Sequence, residues 1–372
     1  MNDTVTAARP RLPLGASLIL SLSLAFFLCF FAFAEVPFYR YMVVLVFVLL
    51  LFVAVRSRLV IVLAALPCLL ALANAESSPL FPLLLCVIAI AGLGGFALNA
   101  VHPLLLVASP ILSYLLAFLV TRDPMGALWV LWPIPVALAA GLALRQRLSR
   151  TATVAAIATV LLLLLGVTAA ISLYTNGITL SSTLLSEIIA EIKSTATALL
   201  LEQGAALELT LNESEIALLV SSSLRLIPAV ILVIAEILSY LTGLIMVSCY
   251  AAHFPMHPLP EKCKTFRMSE TSAILFLLTF LLSLFPVGRS DVMGILLISA
   301  LNLFVILQPG LAVCGILRLL SSFRQRRSLP IIFLFIIVIW FSSVLPTALA
   351  FIGAVSILRT ARIERREQKN QR

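Results

Sequence analysis

One acidic residue, Glu236, lies near the middle of an apolar run that extends from 226 to 248. Ser239, Tyr240 and Gly243 follow it at i+3, i+4 and i+7, so a helix places all three on the face of the carboxyl group. Burying a carboxylate in such a run is costly, and the group usually faces an interior or a cavity, where it can bind a polar solute. The alternative is a protonated Glu236 that is hydrogen-bonded to a neighbouring helix, and the residues leave both interpretations open.

A second group of polar residues lies in the apolar run 291–317, which contains Asn302 and the tripeptide Gln308-Pro309-Gly310. Adjacent Pro and Gly can interrupt a helix and free backbone carbonyls, and transporters bind substrates at such gaps. The alternative is a simple kink in which Gln308 bonds to a neighbouring helix. The candidates to line a cavity for a small solute are Glu236, Tyr240, Asn302 and Gln308.

Catalytic signatures are missing from the sequence. It lacks the HExxH, GxSxG and Walker A motifs, which argues against a zincin, a serine hydrolase and an ATPase. His253 and His257 are four residues apart, but the prolines around them prevent the helix that would bring them together to bind zinc. The sequence therefore predicts no catalytic residue, no metal site and no cofactor, and we expect a protein that is not an enzyme.

The composition indicates which elements must position these polar residues. Hydrophobic residues make up 62% of the 372 residues and charged residues only 11%, against about 25% charged residues in soluble proteins. Several apolar runs reach the ~20 residues that a helix needs to cross ~30 Å of hydrocarbon. Helices satisfy their backbone polar groups internally, so we predict an all-α, polytopic transmembrane helical bundle of about 10–12 spans in a lipid bilayer. The apolar runs are 14–34, 38–55, 59–75, 80–100, 101–121, 126–144, 152–173, 216–250, 271–286, 291–317 and 330–358.

Basic residues predict the orientation of these spans, because Lys and Arg concentrate in cytoplasmic loops. With the N-terminus inside and the spans alternating, most of the 25 Lys and Arg residues lie on the cytoplasmic side. This placement explains the net charge of +9 without a nucleic acid partner. The basic tail from Arg359 reaches the same side only if 330–358 forms a short hairpin that turns at Leu345-Pro346. We therefore predict a multi-pass cell membrane protein with both termini in the cytoplasm.

This topology divides the chain into four parts. They are N-terminal transmembrane helices (1–173), an extracytoplasmic amphipathic segment (174–215), C-terminal transmembrane helices (216–358) and a basic cytoplasmic tail (359–372). The run that begins at 216 is too long for one bilayer crossing, so it either projects outward or breaks at Pro228. Arg225 precedes this proline and is a candidate charge at the outer interface.

The order of features from 126 to the C-terminus resembles the YybS-like family of uncharacterised bacterial membrane proteins. A span that contains prolines ends in Arg145-Gln146-Arg147, and an acidic outer segment and the Pro228 helix follow it. The proline-rich loop from Pro255 to Pro260 comes next, then Gln308-Pro309-Gly310-Leu311-Ala312 and a final hairpin with a basic tail. The resemblance implies a bacterial cell membrane protein. It also implies a loose similarity to the substrate-binding membrane subunits of energy-coupling-factor vitamin transporters.

The polar candidates and this similarity favour a transport-related function. The bundle would bind a small-molecule ligand and would lack its own energy source. It would couple to membrane or ATPase partner subunits through its basic cytoplasmic loops. The alternative is a non-transporting scaffold for an envelope or division complex, which would dock through the acidic outer helix or the basic tail.

Overall fold

The structure is a computed structural model that describes residues 10–30, 80–175, 223–285, 292–323 and 345–370. It also describes Val220 and isolated positions within 42–65 and 187–198. Throughout these residues every regular element is a helix, which confirms the predicted all-α fold class. The helices are α1 (Leu14–Phe30), α2 (Leu80–Ala100), α3 (Pro103–Thr121), α4 (Pro124–Leu128), α5 (Ile134–Arg145), α6 (Arg150–Thr175), α7 (Ile227–His253), α8 (Glu261–Lys264), α9 (Glu270–Ser283), α10 (Val292–Phe323) and α11 (Leu345–Asn370), with a 3-10 turn at Trp129–Leu131.

Within the described ranges, five helices are long and apolar enough to cross a membrane: α3, α6, α7, α10 and α11. Helices α1, α2, α5 and α9 are shorter and also apolar. Large apolar side chains are exposed along these helices, for example Leu104, Leu119 and Leu163, and they form the surface that the lipid bilayer contacts. The predicted spans 38–55 and 59–75 lie largely outside the described residues, so the total number of spans stays a prediction.

Local sequence accounts for where several helices begin and end. Helix α3 begins with Pro103 at its first position, after His102, whose Nδ1 accepts from the N–H of Leu104 at 3.4 Å. It ends where Arg122 adopts a left-handed conformation with φ 52°. The N-cap of α9 is Ser269, whose side chain accepts from the N–H of Ser272 at 3.1 Å.

The chain forms two compact units. The first comprises Met1–Leu164 and Ala235–Phe266. Its core contains Phe27, Phe96 and Met246, which are almost completely buried. Helices α2 and α5 pack tightly there, and Nδ2 of Asn99 donates across them to the carbonyl of Gly141 at 3.0 Å.

The second unit comprises Leu165–Ile234 and Arg267–Arg372. Its core brings α9, α10 and α11 together around Phe276, whose ring lies 5.1 Å from Phe304 and 5.3 Å from Phe351 between ring centroids. Helix α10 crosses α11 closely, because Gly315 and Gly353 each leave room for the backbone of the other helix.

Prolines within the apolar runs mark helix boundaries at some positions and not at others. A turn at Trp132-Pro133 separates the 3-10 turn from α5, and Pro133 and Pro135 lie at this boundary. Residues 225–226 also form a turn, and α7 begins at Ile227 with Pro228 in its first turn, so the long run breaks there. Of the two interpretations of Pro309-Gly310, the interruption does not hold, because α10 continues through Pro309 as one helix of 32 residues.

The final apolar run is described only in its second half. Helix α11 covers Leu345–Asn370, and the predicted turn at Leu345-Pro346 stays a prediction. Residues 330–344, the first arm of the predicted hairpin, lie outside the described residues, and so does most of the outer segment 174–215. Helix α11 continues without a break from the apolar part through the basic residues to Asn370.

Candidate functional site

Glu236 lies in α7 and is half-buried. Ser239 and Gly243, which share its helix face, are buried, and Tyr240 is half-buried. The hydroxyl of Ser239 donates to the carbonyl of Ala235 at 2.6 Å, so it is satisfied within the helix. The carboxyl group therefore lies on the side of a membrane-spanning helix that faces the protein interior, as the spacing of the polar residues predicts.

Arg150 adds a buried positive charge to this face. Its side chain is only 3% exposed, and it stands at the first position of α6. The guanidinium donates to the carbonyl of Gly243 at 2.5 Å and to the carbonyl of Tyr240 at 3.1 Å. Its Cζ also lies 5.2 Å from the centroid of the Tyr240 ring, a cation–π contact. Tyr240 packs edge-on against Phe266, at 5.5 Å between centroids, which fixes the ring under the guanidinium.

The position of Gly243 explains how a guanidinium reaches the backbone of α7. A Cβ added at Gly243 would lie 3.5 Å from both Cζ and Nη1 of Arg150, at van der Waals contact. A larger side chain would occupy the volume of the guanidinium. Gly243 was singled out in the sequence as one of the residues that share the face of Glu236, and the structure shows that Arg150 occupies the space above it.

Asn302 and Arg225 come together in the second unit. Nδ2 of Asn302 donates to the carbonyl of Arg225 at 3.2 Å and to the carbonyl of Ile298, one turn earlier in α10, at 3.0 Å. The turn at 225–226 places the Arg225 carbonyl outside the helical ladder of α7, so the amide of Asn302 satisfies a group that the break releases. The Arg225 side chain is exposed.

The remaining oxygen of Asn302 is the more informative atom. Oδ1 is buried, and among the described residues no hydrogen-bond donor reaches it. A buried carbonyl oxygen without a donor is costly, and such atoms commonly accept a hydrogen bond from water or from a ligand. Asn302 thus offers one buried acceptor within α10.

Gln308 bonds within the protein. Its Nε2 donates to Oγ1 of Thr347, which lies in the first turn of α11, at 3.0 Å. Helix α10 is continuous here, so the interpretation in which Gln308 bonds to a neighbour holds, and the one with an unwound, substrate-binding segment does not.

The four predicted cavity residues divide between the two units. Glu236 and Tyr240 belong to the first unit, whereas Asn302 and Gln308 belong to the second. A single cavity lined by all four therefore stays a prediction. Sequence reasoning missed Arg150, because the positive-inside rule counts it with Arg145 and Arg147 among the basic residues of the cytoplasmic side. Those two side chains are indeed exposed, and nothing in the sequence distinguishes Arg150 from them.

A cavity of about 660 Å³ lies in the first unit, where the start of α1 meets the end of α7. Its polar lining comes from Arg11, His253 and His257, and none of the predicted cavity residues lines it. His253 also stacks on Phe96, at 5.3 Å between ring centroids. In the part of the chain that the structure describes, no three His, Cys, Asp or Glu residues lie close enough to hold a metal ion.

Comparison with known proteins adds a family. Residues 105–355 match the model of a family described as "Predicted membrane protein (DUF2232)". This range contains Glu236, Asn302 and Gln308 as well as Arg150. No curated protein and no solved structure matches the chain.

Proposed function

We propose that this multi-pass protein, which belongs to the DUF2232 family of predicted membrane proteins, binds a small solute among its helices as part of a transport system. The observation that carries the proposal is Glu236, a half-buried carboxyl group on the protein-facing side of a membrane-spanning helix. Ionisable residues in such positions face protein interiors or water-filled spaces and form solute and ion pathways. Tyr240 follows Glu236 by one turn on the same helix face and contacts the guanidinium of Arg150, so polar groups lie on this face for a solute to meet.

Two other observations support solute binding. The buried Oδ1 of Asn302 offers a hydrogen-bond acceptor within a second membrane-spanning helix. The cavity at the end of α7 has the size of a small-molecule site, and α7 connects it with the segment that carries Glu236. The described part of the chain therefore offers polar groups both within its spans and at a helix end.

The proposal includes no energy source in this chain and no catalytic activity. The sequence has no Walker A motif, so transport would depend on an ATPase partner that contacts the basic loops, as the YybS-like resemblance and the loose similarity to energy-coupling-factor subunits imply. The positive-inside rule predicts that these loops and both termini lie in the cytoplasm, and the YybS-like resemblance implies a bacterial cell.

The test is extraction of bound small molecules from purified protein. The wild-type chain is purified from native membranes in mild detergent, and small molecules released by denaturation are identified by mass spectrometry. We expect one solute to be enriched with the wild type and lost with Glu236→Gln. Glu261→Gln, a matched change at an exposed residue of α8, should retain it. Equal recovery of every small molecule from the three proteins would refute the role of Glu236.

A non-transporting scaffold is the second candidate. The observation that favours it is the exposed, charged extension of α11 beyond residue 358, which offers a surface for an envelope or division partner. Affinity purification of the full chain distinguishes the two functions. An ATPase module among the partners supports transport, whereas envelope machinery without an ATPase supports the scaffold.

A further inference from the structure

Helix α11 does not end where its apolar sequence ends. It runs from Leu345 to Asn370, and the apolar part gives way to charged residues at Arg359. The last 12 residues, from Arg359, add about 18 Å at 1.5 Å per residue. The headgroup layer on each side of the hydrocarbon core is about 5–8 Å thick, so this extension passes through it and beyond.

One face of α11 is exposed along its whole length. In the apolar part Ile352 and Val355 are 39% and 59% exposed, so this face contacts hydrocarbon. Arg359, Arg362 and Arg366 continue the same line at spacings of four, three and four residues, and all three are exposed. We call these three arginines the basic stripe. The lipid-facing side of the helix thus becomes the basic stripe at the level where the hydrocarbon core ends.

The orientation of the stripe follows from the packing of α11. Leu349, Ala350 and Ala354 are buried against the other helices of the second unit, on the side of α11 opposite the exposed line. In the extension, Arg365 lies outside the stripe and forms an ion pair with Glu270 at the start of α9. This ion pair and the buried face hold the extension so that the stripe points away from the protein.

The acidic residues of the extension do not neutralise the stripe. At roughly 100° per residue, Glu364 lies on the side of the helix opposite the stripe, and Glu367 lies about a quarter of a turn away from it. Arg359, Arg362 and Arg366 form no ion pair among the described residues. Arginine is suited to phosphate, because its planar guanidinium donates two parallel hydrogen bonds to phosphate oxygens.

We infer that the basic stripe Arg359, Arg362 and Arg366 binds the phosphate groups of anionic phospholipids beside α11. The occupant is lipid, because the stripe continues a face that already contacts hydrocarbon, and a lipid places its acyl chains on Ile352 and Val355 and its phosphate at Arg359. Each basic residue near an anionic bilayer surface increases binding roughly fivefold. The lipid would fix α11 at one depth in the bilayer, and this role is independent of the proposed solute site.

The test uses the full-length protein in a neutral detergent and titrates it with short-chain phosphatidylglycerol or phosphatidylcholine. The readout is lipid retention in native mass spectrometry. We expect wild-type protein to bind phosphatidylglycerol at least tenfold more tightly than phosphatidylcholine. The variant Arg359→Gln/Arg362→Gln/Arg366→Gln should lose this preference, whereas the three corresponding lysine changes should retain most of it, because the charge remains. Raising the salt concentration should weaken the preference, since exposed charges are screened.

The matched control removes three exposed positive charges elsewhere, in Arg145→Gln/Lys262→Gln/Lys264→Gln. It should keep the preference for phosphatidylglycerol if the stripe is the site. Equal losses in the stripe variant and the control would show that only net charge matters and would overturn the inference. Equal binding of the two lipids by the wild type would also overturn the inference. The same holds if the stripe variant keeps its lipid preference but loses a co-purifying protein. A circular dichroism spectrum of the glutamine variant that matches the wild type excludes misfolding as the cause of a loss.

Discussion

Replacement of Gly353 by alanine is expected to loosen the packing of α10 against α11. A Cβ at Gly353 would overlap the carbonyl oxygen of Leu311, and a Cβ at Gly315 would overlap that of Leu349. Side-chain Cβ atoms essentially never come within 3.0 Å of another heavy atom, and a helix carbonyl cannot rotate away as a side chain can. Gly353→Ala therefore requires the two helices to move apart.

Two opposing contributions determine how much Gly353→Ala changes the free energy of unfolding. Overpacking of a well-packed interface costs about 1–3 kcal/mol. Alanine in a helix is favoured over glycine by about 0.8–1 kcal/mol, which offsets part of that cost. Because the overlap is with backbone on both helices, we take the upper end of the packing cost, so the free energy of unfolding should fall by about 1–2 kcal/mol. Phe276, which packs on Phe304 of α10 and Phe351 of α11, should lose contact as the helices separate.

The assay is unfolding of the purified protein in mixed micelles with increasing SDS, followed by tryptophan fluorescence or circular dichroism. Gly166→Ala is the matched control, because Gly166 lies in α6 with no other heavy atom within 4 Å of its Cβ position. This change should be neutral or should stabilise the protein by up to about 1 kcal/mol. The double variant Gly315→Ala/Gly353→Ala should cost less than the sum of the single changes, since one alanine already separates the helices. If Gly353→Ala unfolds like Gly166→Ala, the close crossing of α10 and α11 is wrong.

Two further predictions concern the first unit. Arg150→Met should lower the free energy of unfolding by about 1–3 kcal/mol in the same SDS titration. Hydrogen bonds from a charged group contribute about 1.5–3 kcal/mol each, and the cost of burying the charge offsets part of that. The control Arg145→Met, at an exposed residue, should change the free energy of unfolding by less than about 0.5 kcal/mol. Burial raises the pKa of the Cys263 thiol in α8, although the charges of Lys262 and Arg147 partly lower it. Maleimide should therefore label this thiol at pH 8 more slowly in the folded protein than in the unfolded chain, and the labelling rate should increase as the pH rises. The labelled peptide is identified by mass spectrometry, and Cys263→Ser removes its signal. Equally fast labelling of the folded and unfolded protein would contradict the burial. The raised pKa also stabilises the folded protein below the pKa of the unfolded thiol, and this stabilisation is lost as the pH rises through the pKa of the folded thiol.

Helix positions could be predicted from the sequence because they depend on local composition. The run 80–100 corresponds to α2 at Leu80–Ala100, and the run 101–121 corresponds to α3 at Pro103–Thr121. Prolines marked the break before α5 and the start of α7. Pro309 left an interruption and a simple kink open. Helix α10 continues through it because a proline removes only one backbone N–H and the packed environment keeps the rest of the helix in place. The cost of unwinding a helix among apolar side chains exceeds that of one missing hydrogen bond.

The candidate site was predictable only in part. The spacing of Glu236, Tyr240 and Gly243 correctly predicts a shared face, because helix geometry determines it from the chain alone. The contact of Asn302 with the Arg225 carbonyl joins positions 77 residues apart, so no local pattern encodes it. It follows from two local facts that only the fold combines, a carbonyl released by the turn at 225–226 and an amide on α10.

Arg150 marks the limit of charge counting. Three arginines, Arg145, Arg147 and Arg150, stand within six residues, and the positive-inside rule treats them alike. In the structure the first two are exposed, but the third is at the first position of α6 and donates to two carbonyls of α7. A basic residue at the end of a span can therefore orient the protein and also hold two helices together. Arg150 thereby fixes the part of α7 that carries Tyr240 and Gly243, one and two turns after Glu236.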